Sequence, residues 1–206
     1  MSKLVFGVGI NDADYTVQVN KPIMVDGGKV KQKVVWRCPF YRTWVGMLER
    51  GYSEKCKIKH PTYRDASVCK EWHLFSTFSR WMQQQDWEGN QLDKDLLIPG
   101  NKVYNQETCV FVSRQVNLFL TDSTAARGEY KIGVSWNKKN SKFVVRCNNP
   151  FTCEGEYLGY FLQEDEAHQA WLTRKLEYAH ALATLQTDER VAKALINRYT
   201  NYGSLL

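Results

Sequence analysis

The chain has 206 residues, 43% of them hydrophobic and 13% aromatic, with a formal net charge of +6 and a pI near 8.9. These values exclude a disordered chain, which lacks the apolar surface to offset the entropy of ordering, and they bound the protein to one large or two small domains. No apolar run reaches 18 residues and MSKLVFG carries no apolar leader, so a transmembrane helix is excluded and the expected setting is the cytoplasm.

In chain order, residues 1 to 38 read as short extended pieces and turns, with DGG at 26 to 28 between PIMV and VKQKVVW. Tyr41, Trp44, Val45 and Leu48 sit at helical spacing, and Gly51 is the expected stop of a helix near 41 to 50. Residues 52 to 67 are basic, contain Pro61 and read as a loop. SVCKEWHLFSTFSRWMQQQ reads as one helix, capped by Ser67, with Val68, Trp72, Phe75, Phe78, Trp81 and Met82 as its core stripe. His73 falls off that stripe and is expected at the surface.

Next come a strand over 92 to 98, a long turn over 99 to 108, a strand over 109 to 112 and a helix from about Ser113. Residues 121 to 129 are polar and read as a linker between a 1–120 domain and a 130–206 module. IGVSW, KFVVRC and EYLGYF read as three short strands, followed by the long helix QEDEAHQAWLTRKLEYAHALATL and a last helix capped by Asp188. The expected fold class is α+β: N-terminal helices, a hairpin–helix unit, and a C-terminal three-stranded antiparallel sheet packed on a helix.

Charge is unevenly spread. Eleven Lys or Arg against three acids lie between Lys21 and Arg64, and five basic residues with no acid lie between Lys131 and Cys153. Two basic tracts point to a polyanionic partner. The six cysteines form no CxxC pair. A structural zinc site built from them and His60 is therefore not expected, and the thiols are expected to be reduced.

Asp93, Lys94 and Asp95 open the hairpin–helix unit. On such a scaffold a strand carboxylate and a helix amide can grip a hard divalent cation between them, as hydrolysis of a phosphodiester requires. Asp93 and Asn117 are the candidate ligands. The stretch LDKDLLIPGNKVYNQETCVFVSRQVN resembles a divergent HNH (ββα-metal) motif of phage free-standing homing endonucleases. YRTWVGMLERGY and SVCKEWHLFSTFSRWM resemble the lead-in helices of such proteins. The resemblance implies Asp93 as metal ligand, Lys94 at the general-base position, Asn117 as the helix ligand and Asn101 as a structural residue of the turn. It also implies Mg2+ or Mn2+ as cofactor. This sequence departs from the family at position 94, which holds lysine in place of histidine.

Four readings of the triplet stay open. Lys94 serves as a base only if its pKa falls about three units from 10.4, roughly 4 kcal/mol of environment. It can instead neutralise charge on the reacting phosphate. Alternatively, period two puts Asp93 and Asp95 on one face, where both would hold the metal with Asn117 while Lys94 points away. The bland reading is a charged strand end facing solvent.

In the C-terminal module, Phe143 and Val145 are expected to face the helix, leaving Lys142, Val144 and Arg146 on an open face that fits a DNA groove. IGVSWNKKNSKFVVRC, EYLGYF and EDEAHQAW resemble the DNA-binding domain of plant ethylene-response factors (AP-two type), which also occurs fused to phage HNH nucleases. Carried over by position, Ser135, Asn137, Arg146, Asn148 and Tyr157 fall on base- and backbone-contacting positions. Lys138, Lys139 and Lys142 are the expected phosphate contacts. Gly159 is expected to let sheet and helix approach, and His168 and His180 to be structural. The joint expectation is a metal-dependent DNA endonuclease acting on duplex DNA, of phage homing type. The alternative is a catalytically decayed protein of the same fold that binds DNA as a regulator or blocker.

Overall fold

The computed structural model describes residues 4–25, 29–121 and 128–202. The DGG turn and most of the expected linker lie outside these residues. The protein is α+β. It divides into two compact units, one of Met1–Glu88 with Gly100–Phe111, the other of Gly89–Pro99 with Val112–Leu206.

In the first unit, β1 (Gln18–Val25) and β2 (Lys29–Arg37) make an antiparallel ribbon. Helix α1 (Pro39–Tyr52) starts with proline at its first turn, where the missing N–H costs nothing. Its Trp44, Met47 and Leu48 are fully buried. Gly51, expected to end it, lies inside, where an added Cβ would come 3.3 Å from the Val68 side chain. The expected loop at 52 to 67 instead contains α2 (Glu54–Lys59), capped by Ser53, whose Oγ accepts from the Cys56 N–H. A 3-10 turn follows at Pro61–Tyr63.

The single helix expected from Ser67 is in fact three pieces. Ser67–Val68 form β3, which pairs in parallel with β5 (Val103–Tyr104). Lys70–His73 make a 3-10 turn, and only Phe75–Met82 form a helix, α3. Non-local partners break it. The Tyr52 hydroxyl lies 3.1 Å from both the Val68 N and the Val68 O, and the buried Trp44 indole donates to the Trp72 carbonyl at 2.7 Å. Backbone groups held this way are lost to i→i+4 bonding. The apolar stripe is nonetheless core: Val68, Trp72, Phe75, Phe78 and Met82 are all buried. His73 is half-buried, with Nε2 3.0 Å from the Tyr52 hydroxyl.

Strand β4 covers only Gln91–Asp93, shorter than expected, and shares a small sheet with β6 (Val110–Val112). Helix α4 (Arg114–Leu120) begins where expected, with Ser113 Oγ accepting from the Val116 N–H. The C-terminal sheet is antiparallel in the order β7 (Val134–Asn137), β8 (Lys142–Asn148), β9 (Gly155–Phe161). Helix α5 (Glu164–Ala183) packs on all three strands, and α6 (Glu189–Thr200) packs on α5. Asp188 caps α6 as expected, accepting from the Arg190 N–H at 2.8 Å.

Val145 and Cys147 of β8 and Ala167, Trp171, Ala179 and Leu182 of α5 are buried in this unit, where that strand and helix pack together. Each large side chain withdrawn there contributes about 1.5–3 kcal/mol. The close approach of backbone to helix is at Gly133, where a Cβ would stand 2.0 Å from the Trp171 ring. Gly159, expected in that role, meets only Phe161 at 3.6 Å. Its φ of +130 is the reason for glycine there.

Candidate functional site

The feature that positions the acidic triplet is a side-chain cap. Asp93 Oδ1 accepts the N–H groups of Asp95 at 2.9 Å and Leu96 at 2.7 Å. The chain therefore leaves the strand at Asp93 and turns, which is why β4 stops short. The turn brings Asp95 round beside Asp93. Both line a pocket of about 120 Å3 together with Leu96, Asn117, Leu120, Thr121 and Arg198. Period-two alternation grouped the same two aspartates, but a turn brings them together here.

Burial pushes the Asp93 carboxyl above its ordinary range. The neighbouring Asp95 charge raises it further, against the two backbone N–H groups and Lys94, which lower it. Lys94 is not among the residues that line the pocket and is buried at 5% exposure. Its Nζ lies 3.1 Å from Asp95 Oδ2.

The donor set suits a hard cation. Asp93 Oδ2 stands clear of the turn bonds, which use Oδ1. Asp95 Oδ1 stands clear of the lysine contact, which uses Oδ2. The Asn117 Nδ2 donates to Gln91 Oε1, so its carbonyl oxygen is the atom left for a ligand. Two carboxylates and an amide oxygen are hard donors of the type that Mg2+ and Mn2+ take. Among the described residues no group of three or more His, Cys, Asp or Glu is placed to hold a metal, and the pocket depends on its asparagine for a third ligand.

Arg198 is the residue that sequence reasoning missed. It comes from α6, its Nη2 donates to the Leu120 carbonyl at 3.1 Å, and it lines the pocket opposite no sequence motif. A guanidinium beside a cation pocket is suited to a phosphate oxygen.

Arg114, Gln115, Leu118, Phe119 and Thr121 also line a larger cleft of about 630 Å3, with Asn148, Asn149, Pro150, Phe151, Cys153 and Lys175. Among the described residues that line it there is no carboxylate, whereas the smaller pocket has two. The buried Lys175 Nζ donates to the Phe119 carbonyl at 2.7 Å and lies 3.8 Å from that ring's centroid.

Asn101 holds the turn between β4 and β5. Its Nδ2 donates to the Val103 carbonyl at 2.8 Å and the Thr108 hydroxyl at 3.1 Å, and its Oδ1 accepts from the Val103 N–H.

The candidate DNA-contacting residues fall on one face. The register pairs Asn137 with Lys142, Ser135 with Val144, Val144 with Tyr160, and Arg146 with Tyr157. Paired residues share a face, so this one carries Ser135, Asn137, Lys142, Val144, Arg146, Tyr157 and Tyr160, with Asn148 at its end. Ser135, Lys142, Arg146, Asn148, Tyr157 and Tyr160 are exposed, and Lys138 and Lys139 stand exposed in the β7–β8 turn. The opposite face holds Phe143 and Val145 toward α5, as expected. The Asn137 Nδ2 donates to the Tyr160 hydroxyl at 3.2 Å. His168 is structural: its Nδ1 lies 3.0 Å from the Ile132 carbonyl and its ring stacks on Trp171. His180 is exposed on α5.

No family model, curated protein or solved structure gives a significant match to this chain. No helix among the described residues is long and apolar enough to cross a membrane.

Proposed function

We propose that this protein is a metal-dependent endonuclease of duplex DNA, gripping its substrate with the open face of the C-terminal sheet. The observation that carries the reading is the convergence of Asp93, Asp95 and Asn117 on one small pocket, with Asp93 pushed up in part by Asp95. Two acids held against their mutual repulsion favour a cation between them. A bound Mg2+ or Mn2+ supplies the positive charge that polarises a phosphodiester. Arg198 orients a phosphate oxygen. Lys94 tempers the charge of Asp95 from behind, a role its burial and contact suit better than proton abstraction. The resemblance to HNH and AP-two type domains supports the same pairing of a cutting centre with a DNA grip.

A second reading has its own observation. The lysine at the base position lies outside the pocket lining, and among the described residues that line it there is neither a histidine nor a lysine to take a proton from water. A DNA-binding regulator or blocker of the same fold then remains. Supercoiled plasmid incubated with Mn2+ separates the two. The nuclease reading expects relaxed circles with the wild type and none with Asp93→Asn, while both bind the plasmid. Intact supercoils under saturating wild-type protein favour the regulator.

A further inference from the structure

The basic tract that begins at Lys21 has no part in the pocket or in the C-terminal sheet. Much of it lies on the β1–β2 ribbon, whose residues are exposed on both faces apart from the two ends of β1 and Arg37. The register sorts its side chains. Lys21 sits opposite Lys33, Ile23 opposite Lys31 and Val25 opposite Lys29, so all four lysines share one face. Asn20 with Val34, Pro22 with Gln32 and Met24 with Val30 occupy the other. Neither strand contains an acid.

This arrangement is unfavourable by itself. A two-stranded ribbon with neither face on a core is marginal in water. Like charges directly opposite across strands, as at Lys21 and Lys33, destabilise the pair further. A polyanion along the lysine face removes that penalty. At about 3.3 Å per residue, eight residues give a reach of roughly 26 Å, enough to follow a groove. At the root of the ribbon, Trp36, Arg37 and Arg42 line a hollow of about 250 Å3 with Val34 and Val35, which extends the positive surface.

We propose that the β1–β2 ribbon is a second DNA contact, an arm that lays Lys21, Lys29, Lys31 and Lys33 along the phosphates of a duplex. It rests on the reading of the chain as a duplex-DNA binder. It adds a sequence-independent grip distinct from the C-terminal sheet. The occupant is duplex DNA because four exposed lysines with no acid on either strand line one face, with Ile23 and Val25 between them, in an extended row whose reach matches the evenly spaced phosphates of a duplex.

The test compares three full-length proteins on a duplex oligonucleotide across a salt series: wild type, a quadruple lysine-to-serine variant of the ribbon, and a variant with Lys138, Lys139, Lys142 and Arg146 changed to serine. Each phosphate neutralised contributes about 0.9 to the slope of log K against log salt. The ribbon variant should lose about 3.6 of that slope and should melt no lower than wild type, since a repulsion has been removed. An unchanged slope in the ribbon variant, with the sheet variant impaired, overturns the arm and leaves the DNA-binding reading intact. Loss in the ribbon variant alone supports the arm and removes the sheet from the interface. Absence of wild-type binding at any salt overturns both. If the slope is unchanged and Met24→Glu converts a dimer to a monomer, the ribbon joins two copies and the arm is refuted.

Discussion

In the proposed site Asp93 has two jobs for one carboxylate. Oδ1 holds the turn through two backbone N–H groups, and Oδ2 is left for a ligand. The two jobs come apart on substitution. Asp93→Asn keeps an oxygen for the turn but removes the charge that burial and Asp95 disfavour, so thermal unfolding should show a variant as stable as wild type or more so at pH 7. Asp93→Ala orphans both N–H groups and should cost about 2 kcal/mol. The pH dependence follows from the direction of the shift. The folded chain holds the Asp93 proton more tightly than the unfolded chain does, so its contribution is present below the ordinary value of 3.8 and is lost as pH rises through the raised value. Melting curves from pH 4 upward should therefore show a decline in wild type that Asp93→Asn lacks. A decline of equal size in both would assign it elsewhere. The hairpin–helix pattern is local, so sequence alone could place Asp93, Asp95 and Asn117 near one another, although the two acids meet through a turn rather than through strand alternation. Arg198 left no signal, since α6 reaches the pocket only through the folded packing of its own unit. Lys175 did leave one: it is the charged member of a buried four-residue repeat with Ala167, Trp171 and Ala179.

Among the elements, those built from local pattern were legible and those built from distant partners were not. The three C-terminal strands, α4 with its Ser113 cap and α6 with its Asp188 cap lie where turn and cap chemistry put them. The segment from Ser67 to Met82 departs from the single helix that its stripe predicts, because the stripe is real while the backbone is bound from outside, by Tyr52, Trp44 and β5. Burial periodicity alone does not report where backbone hydrogen bonds go. The same limit explains β4, which ends at Asp93 when a side chain takes the N–H groups of the next residues. The sheet–helix contact adds a prediction at this scale. Gly133 has φ +80 and faces the Trp171 ring. Gly133→Ala should destabilise by upwards of about 3 kcal/mol, through backbone strain and a clash that the ring cannot yield to. Gly159→Ala has strain but ordinary contacts, and should cost less. Chemical denaturation ranks the two, and the reverse order would refute this account of the contact.

At the scale of the whole molecule, a small acidic pocket stands in a chain that is otherwise basic. The carboxylate pocket and the open sheet face belong to the same compact unit. A net charge of +6 favours approach to a polyanion on electrostatic grounds, and in the proposed function the pocket is a local acidic exception that a divalent ion would convert into part of the attractive surface. Everything catalytic in this account depends on that conversion. Calorimetric titration of the full chain with Mn2+ tests it most directly. The account predicts one ion per chain, absent in Asp93→Asn and weakened in Asn117→Leu. Wild-type and Asp93→Asn proteins taking up Mn2+ alike, or neither taking it up with duplex DNA present, would contradict it.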